Sequence, residues 1–197
     1  HRNISVSLRL LFQVLAAIII VTVGDITIES FGNLFGSGEI FLNKWTYFVS
    51  VIAIIAGMNA LNMSDGIHGL AGGSSLITFL AILYLSIDSV SQEYILIMFL
   101  FCSVLPVFLI HNLCLGLPER NRIFMGDAGS MFVGMSIAWL LIDLSQGELK
   151  VFDPVIVLWL FAIPLFDLVS VFIRRIASGD SPFKADVFHM HHVLLHL

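Results

Sequence analysis

Long apolar runs alternate with short polar breaks along almost the whole chain. Six runs stand out, at about 8–24, 45–63, 70–87, 94–112, 128–144 and 154–173. Each is about 17–20 residues long, which as a helix spans roughly 30 Å of hydrocarbon. The pattern predicts an all-α, polytopic transmembrane helix bundle of about six spans. There is no internal repeat, and no polar stretch is long enough to bury a core of its own. Residues 1–197 therefore read as a single integral-membrane domain.

Composition agrees with the pattern. The chain is 58% hydrophobic and 12% charged, against about 25% charged in soluble domains. A net charge of −5 without a basic stripe argues against a nucleic-acid partner. Cys102 and Cys114 would lie about 18 Å apart on a continuous helix, too far for a disulfide. The chain opens on His1 rather than Met and ends at Leu197 in a helix-like segment, so it reads as an internal piece of a longer protein.

Lys and Arg set the expected orientation. Arg2, Arg9, Arg120, Arg122, Arg174, Arg175 and Lys184 fall on one side of the six runs, Lys44 and Lys150 on the other. The richer side is expected to be cytoplasmic. The connections 64–69, 113–127 and 174–197 then lie inside, and 25–44, 88–93 and 145–153 outside. The outer connections are acidic, as ordinary solvated loops are, and 31–38 reads as a turn with two aromatic interface anchors.

Three polar cassettes fall on the cytoplasmic side: Asn62 to Gly69, Phe124 to Ser130, and His189-Met190-His191-His192. Carboxylates and histidines are costly beside a bilayer, so their convergence on one face points to a site. In the first cassette, Asp65 and His68 are three apart and share a face if the turn is helical. Its glycines permit close approach of a ligand, or equally of a neighbouring helix. In the second, Asp127 precedes an apolar run, which fits a plain N-cap. It also fits a carboxylate holding a divalent cation where a helix start attracts phosphate. The third could bind zinc, hydrogen-bond phosphate or move protons, or could belong to a solvated amphipathic helix that includes His196. Asp167 lies inside the last run, three residues after Pro164, and requires a partner or a water-filled cleft. Arg174 and Arg175 serve as a positive-inside anchor or reach a phosphate.

Taken together, these residues resemble a known family. Asn59-Ala60-Leu61-Asn62-Met63, Asp65-Gly66-Ile67 and Gly69 to Gly73 look like the second aspartate motif of the polyprenyl-phosphate N-acetylhexosamine-1-phosphate transferases. Phe124-Met125-Gly126-Asp127-Ala128-Gly129-Ser130 is similar to their third. The His-x-His-His cassette and the stretch Trp159 to Pro182 resemble the branch that uses undecaprenyl phosphate and GlcNAc-1-phosphate. The chain departs from the pattern in three places. The family's Asp-Asp motif belongs just upstream of a segment like Asn3 to Val6, where this sequence begins. His68 stands at the second Asp of the second motif. Val187 or Phe188 replaces an arginine before the histidines.

The resemblance implies a larger fold of ten or eleven spans in the bacterial inner membrane, with the active site on the cytoplasmic face. It implies transfer of GlcNAc-1-phosphate from UDP-GlcNAc to undecaprenyl phosphate, releasing UMP, as the first step of O-antigen-type glycan synthesis. The cofactor would be Mg²⁺, with Mn²⁺ as a substitute, and Asp127 would hold it. Asp65 and His68 would join Asp127 in the catalytic set. Asn62, Asp167, Arg174, His189, His191 and His192 would contact substrates. Membrane lipids would surround the protein, and a homodimer is compatible with it. Two rival readings are a multi-span transporter of metal ions or solutes, and an inactive family member.

Overall fold

The computed structural model describes residues 5–116, 118, 120, 122–147 and 150–177. Seven α-helices follow in order among them: α1 (Val6–Val23), α2 (Thr46–Ser64), α3 (Leu70–Ser86), α4 (Gln92–Asn112), α5 (Gly126–Asp143), α6 (Pro154–Leu160) and α7 (Ala162–Ala177). A 3-10 turn, Asn43–Trp45, leads into α2. The extended pairing recorded among the described residues is an isolated antiparallel bridge, Ser30 with Phe41, in the α1–α2 connection. The all-α expectation holds.

Each of the six apolar runs becomes helix, but they are not six equivalent spans. Among the described residues, three helices are long and apolar enough to cross a membrane: Val6–Val23, Asn43–Ser64 and Gln92–Asn112. α3 has 17 residues, and α5 carries Asp127 and Asp143 near its ends with glycines and serines between. The expected straight span at 154–173 is instead broken, with α6 and α7 bent by 83°. Pro164 supplies the cause. It has no N–H to donate, and its ring excludes the carbonyl four residues back, that of Leu160. That carbonyl is taken up by another helix: Thr78 Oγ1 donates to Leu160 O at 2.8 Å. In a low-dielectric setting such replacement is what lets a broken helix persist.

Small residues bring the central helices together. A Cβ on Gly134 would stand 2.6 Å from the Gly57 carbonyl oxygen, and one on Gly57 would stand 2.9 Å from Ala138 Cβ. The α2–α5 crossing is thus backbone on backbone. Phe79 of α3 stacks on Phe101 of α4 with centroids 4.3 Å apart. Outside this core, Phe12, Ile19, Phe48, Leu96 and Phe99 are exposed, an apolar exterior suited to lipid.

The connections sort to two ends as the charge pattern anticipates. At one end Gln146 accepts from the Glu29 and Ser30 amides at 3.1 Å each and donates to Ser30 O at 3.0 Å. Lys150 reaches Asp153 at 2.9 Å and Glu39 at 3.9 Å beside them. The first two polar cassettes meet at the opposite end.

Candidate active site

The site end is built by one buried asparagine and two helix termini. Asn112, 3% exposed at the end of α4, takes the Gly69 amide at 2.6 Å and donates to Ile123 O at 2.8 Å. It clasps the connection after α2 to the one before α5. Gly69 has φ +80°, and a Cβ there would meet Leu113 at 2.7 Å, so only glycine fits this turn. Asn62 in the last turn of α2 accepts from Ser130 Oγ of α5 at 2.8 Å. Its carbonyl therefore ties the two cassettes together.

Asp65 caps α2 and accepts the Gly126 amide at 3.1 Å. Burial pushes its carboxyl above the usual value. The Gly126 hydrogen bond draws it back, Asp127 pushes it further up and His68 partly offsets that. α5 begins at Gly126, with φ +70° and Met125 at the cap position. Asp127 is therefore inside the first turn, and the plain N-cap reading is corrected. Its carboxylate turns to α1 instead, where Arg9 Nη1 donates to Oδ2 at 2.6 Å. His68 Nε2 lies 3.2 Å from Arg122 Nη1, and its ring tilts against Phe124 at 5.2 Å. Guanidinium only donates, so this nitrogen accepts.

The structure thus gathers Asn62, Asp65, His68 and Asp127. Asp167 on α7 is 5% exposed, and its Oδ1 has no hydrogen-bond partner among the described residues. Arg174 is exposed in the last turn of α7. His189, His191 and His192 lie outside the described residues. Sequence reasoning missed Asn112, gave Ser130 a place in its motif but no role, and counted Arg9 only as a topological marker. The available signal was Arg9 and Gln13, four apart on one face of an otherwise greasy helix.

Among the described residues, no group of three or more His, Cys, Asp or Glu side chains could hold a metal ion alone. Two neighbouring carboxylates, Asp65 and Asp127, still suit Mg²⁺, which usually takes one or two carboxylates plus waters and phosphate oxygens. An apolar groove of about 560 Å³ runs along α4, lined by Ser103, Val104, Val107, Phe108, His111 and Ile123.

Comparison with known proteins places the sequence in a family. The model of glycosyl transferase family 4 matches residues 1–145. The undecaprenyl-phosphate alpha-N-acetylglucosaminyl 1-phosphate transferase of Escherichia coli (strain K12) is 38% identical over 194 residues, covering 98% of this chain and 52% of the relative. Its counterpart in Haemophilus influenzae is 37% identical over 198 residues, covering 98% and 54%. The chain spans about half the length of the curated relatives it matches. With the family model covering both gathered cassettes, the chain belongs to glycosyl transferase family 4.

Proposed function

We propose that the chain belongs to a membrane enzyme that transfers GlcNAc-1-phosphate from UDP-GlcNAc to undecaprenyl phosphate. The observation that carries this is the meeting of Asp65 and Asp127 through the Gly126 amide, at the end where charge counting puts the cytoplasm. The names of the relatives supply the acceptor and the sugar.

The chemistry follows from the charges. The lipid phosphate oxygen attacks the β-phosphorus of UDP-GlcNAc, the bond to the UMP oxygen breaks, and UMP leaves with that electron pair. A phosphate monoester has a second pKa near 6, so a strong base is dispensable at neutral pH. The harder task is to bring anions together. Asp65 and Asp127 would hold Mg²⁺, which when bound neutralises diphosphate charge. Arg9, already on Asp127, offers a cation to a phosphate oxygen, and the Asn62–Ser130 bond fixes the end of α2 against the start of α5 beside them. The α4 groove, with its mostly apolar lining of Val104, Val107, Phe108 and Ile123, suits a prenyl chain.

A transporter would need its polar groups along a path through the spans. The gathered acids and amides instead crowd one end. The test is a radiolabelled transfer assay on the full-length protein with UDP-GlcNAc, undecaprenyl phosphate and Mg²⁺. Labelled lipid with release of UMP supports the reading. No labelled lipid from folded protein rejects it.

A further inference from the structure

Inside the apolar packing of α1, α2 and α5 lies a polar contact that the reaction itself does not use. Gln13 on α1 is 5% exposed. Its Nε2 donates to Asn59 Oδ1 of α2 at 3.3 Å and lies 2.9 Å from Met131 Sδ of α5. Asn59 Nδ2 answers with a bond to Gln13 Oε1 at 3.2 Å and another to Ile55 O at 2.8 Å. Both amide nitrogens thus use both hydrogens. The Ile55 carbonyl fixes which way the Asn59 amide faces, and that in turn fixes Gln13. A reciprocal pair of this kind has one register: sliding or rotating α1 against α2 breaks both bonds at once.

The register matters one turn away. Arg9 precedes Gln13 by four residues, and Asp127 precedes Met131 by four. The contacts Arg9–Asp127 and Gln13–Met131 are therefore successive rungs between the same two helices, which run in the same direction. Where Gln13 is clamped to α2, Arg9 is delivered to the carboxylate on α5.

We propose that Gln13 and Asn59 are positioning residues, holding α1 so that Arg9 stays on Asp127 at the site. The role in turnover rests on the transferase reading above; the effect on the Arg9–Asp127 pair does not. The amide pair touches no substrate, so its influence passes through the guanidinium. Loss of the pair lets α1 drift, leaves Asp127 more open, and moves the cation away from the phosphates.

The test uses full-length protein with Gln13→Leu, Asn59→Leu, and the exchanged pair Gln13→Asn with Asn59→Gln, which keeps two amides and the total side-chain length. Two readouts are taken. One is kcat and KM for UDP-GlcNAc. The other is the rate at which a water-soluble carbodiimide modifies Asp127, read by peptide mass spectrometry without turnover. In the single variants kcat is expected to fall about tenfold or more, the scale of a small misplacement. KM changes less, and Asp127 is modified faster. The exchanged pair restores both.

Gln13→Leu with parent-like kinetics and parent-like Asp127 reactivity overturns the proposal. If Gln13→Leu does not fold, the exchanged pair decides. A folded exchanged pair with a shielded Asp127 supports positioning, and one that folds with Asp127 as open as in Asn59→Leu overturns it. Absence of transfer in the parent protein rejects the transferase reading alone, because the carbodiimide contrast remains to judge the pair.

Discussion

In the proposed reaction, most of the chemistry turns on Asp127. Its pairing with Arg9 is half open to water, with side chains 31% and 67% exposed, so the pair adds about 0–1 kcal/mol to stability. Asp127→Asn should therefore leave the protein folded while removing the charge that, in the proposed reaction, acts on the diphosphate. Such electrostatic terms are worth roughly 3 kcal/mol, so kcat should drop by about two orders of magnitude. A transfer assay alongside a thermal melt checks both halves. Asp65 makes a different case, because its carboxyl is raised, chiefly by burial. A raised acid favours the protonated folded state: stability is greatest below the unfolded value of 3.8 and erodes as pH climbs through the folded value. Asp65→Asn keeps an acceptor for the Gly126 amide without that burden. It should raise the melting temperature at pH 7 and abolish transfer; a lower melting temperature would contradict the burial argument. At His68 the sequence pattern expects an acid, and the structure shows the imidazole accepting from Arg122. An acid there could keep that tie as an ion pair and add a third carboxylate near Asp65. His68→Asp should lower the Mg²⁺ concentration for half-maximal activity, since hard oxygen suits Mg²⁺ better than imidazole. An unchanged Mg²⁺ dependence would count against it. At this scale the acids were readable because carboxylates among apolar runs are rare. Asn112 was not, since one asparagine at a helix end looks like any other until the two loops it clasps are seen together.

The helices were legible in length and place, and their breaks and crossings were not. Hydropathy alone reads 154–173 as one span because Pro164 sits among strong apolar residues. The 83° bend depends on Thr78, more than eighty positions earlier, accepting the cost of the orphaned Leu160 carbonyl. No local pattern carries that pairing. The glycines tell the same story: Gly57 and Gly134 look like generic small residues, yet they place α2 and α5 in backbone contact. That contact holds Asp65 beside Gly126, so it bears on function as well as stability. Gly134→Val would set its Cβ 2.6 Å from the Gly57 carbonyl oxygen, where only backbone movement relieves the clash. Overpacking of this kind costs about 1–3 kcal/mol. The melting temperature should fall, and transfer activity should fall further than the loss of folded protein explains. Gly73, which has nothing within 4 Å of a built Cβ, is the control: Gly73→Ala should be neutral or slightly stabilising, as a helix interior prefers alanine. Equal melting curves for Gly134→Val and the parent would show the crossing to be looser than drawn.

At the scale of the whole molecule, charge sorting was the most informative signal in the sequence. Seven basic residues on one side and two on the other anticipated that the first two cassettes share an end. The structure joins them through Asn112 and Asp65. At the other end it joins connections 25–44 and 145–153 through Gln146 and Lys150. Which end faces the cytoplasm follows from the positive-inside rule rather than from the packing. The consequence is measurable in intact cells. With Cys102 and Cys114 replaced by alanine, single cysteines at Gly66 and Phe124, both exposed at the site end, should stay unlabelled by an impermeant thiol reagent and react after permeabilisation. A cysteine at Phe35, 82% exposed in the opposite connection, should label without permeabilisation. The contrast is needed because an unreactive thiol alone could be buried rather than inside. Labelling of position 66 or 124 from outside would invert the molecule and part the site from a cytoplasmic supply of sugar nucleotide, so the proposed reaction would fall with the orientation.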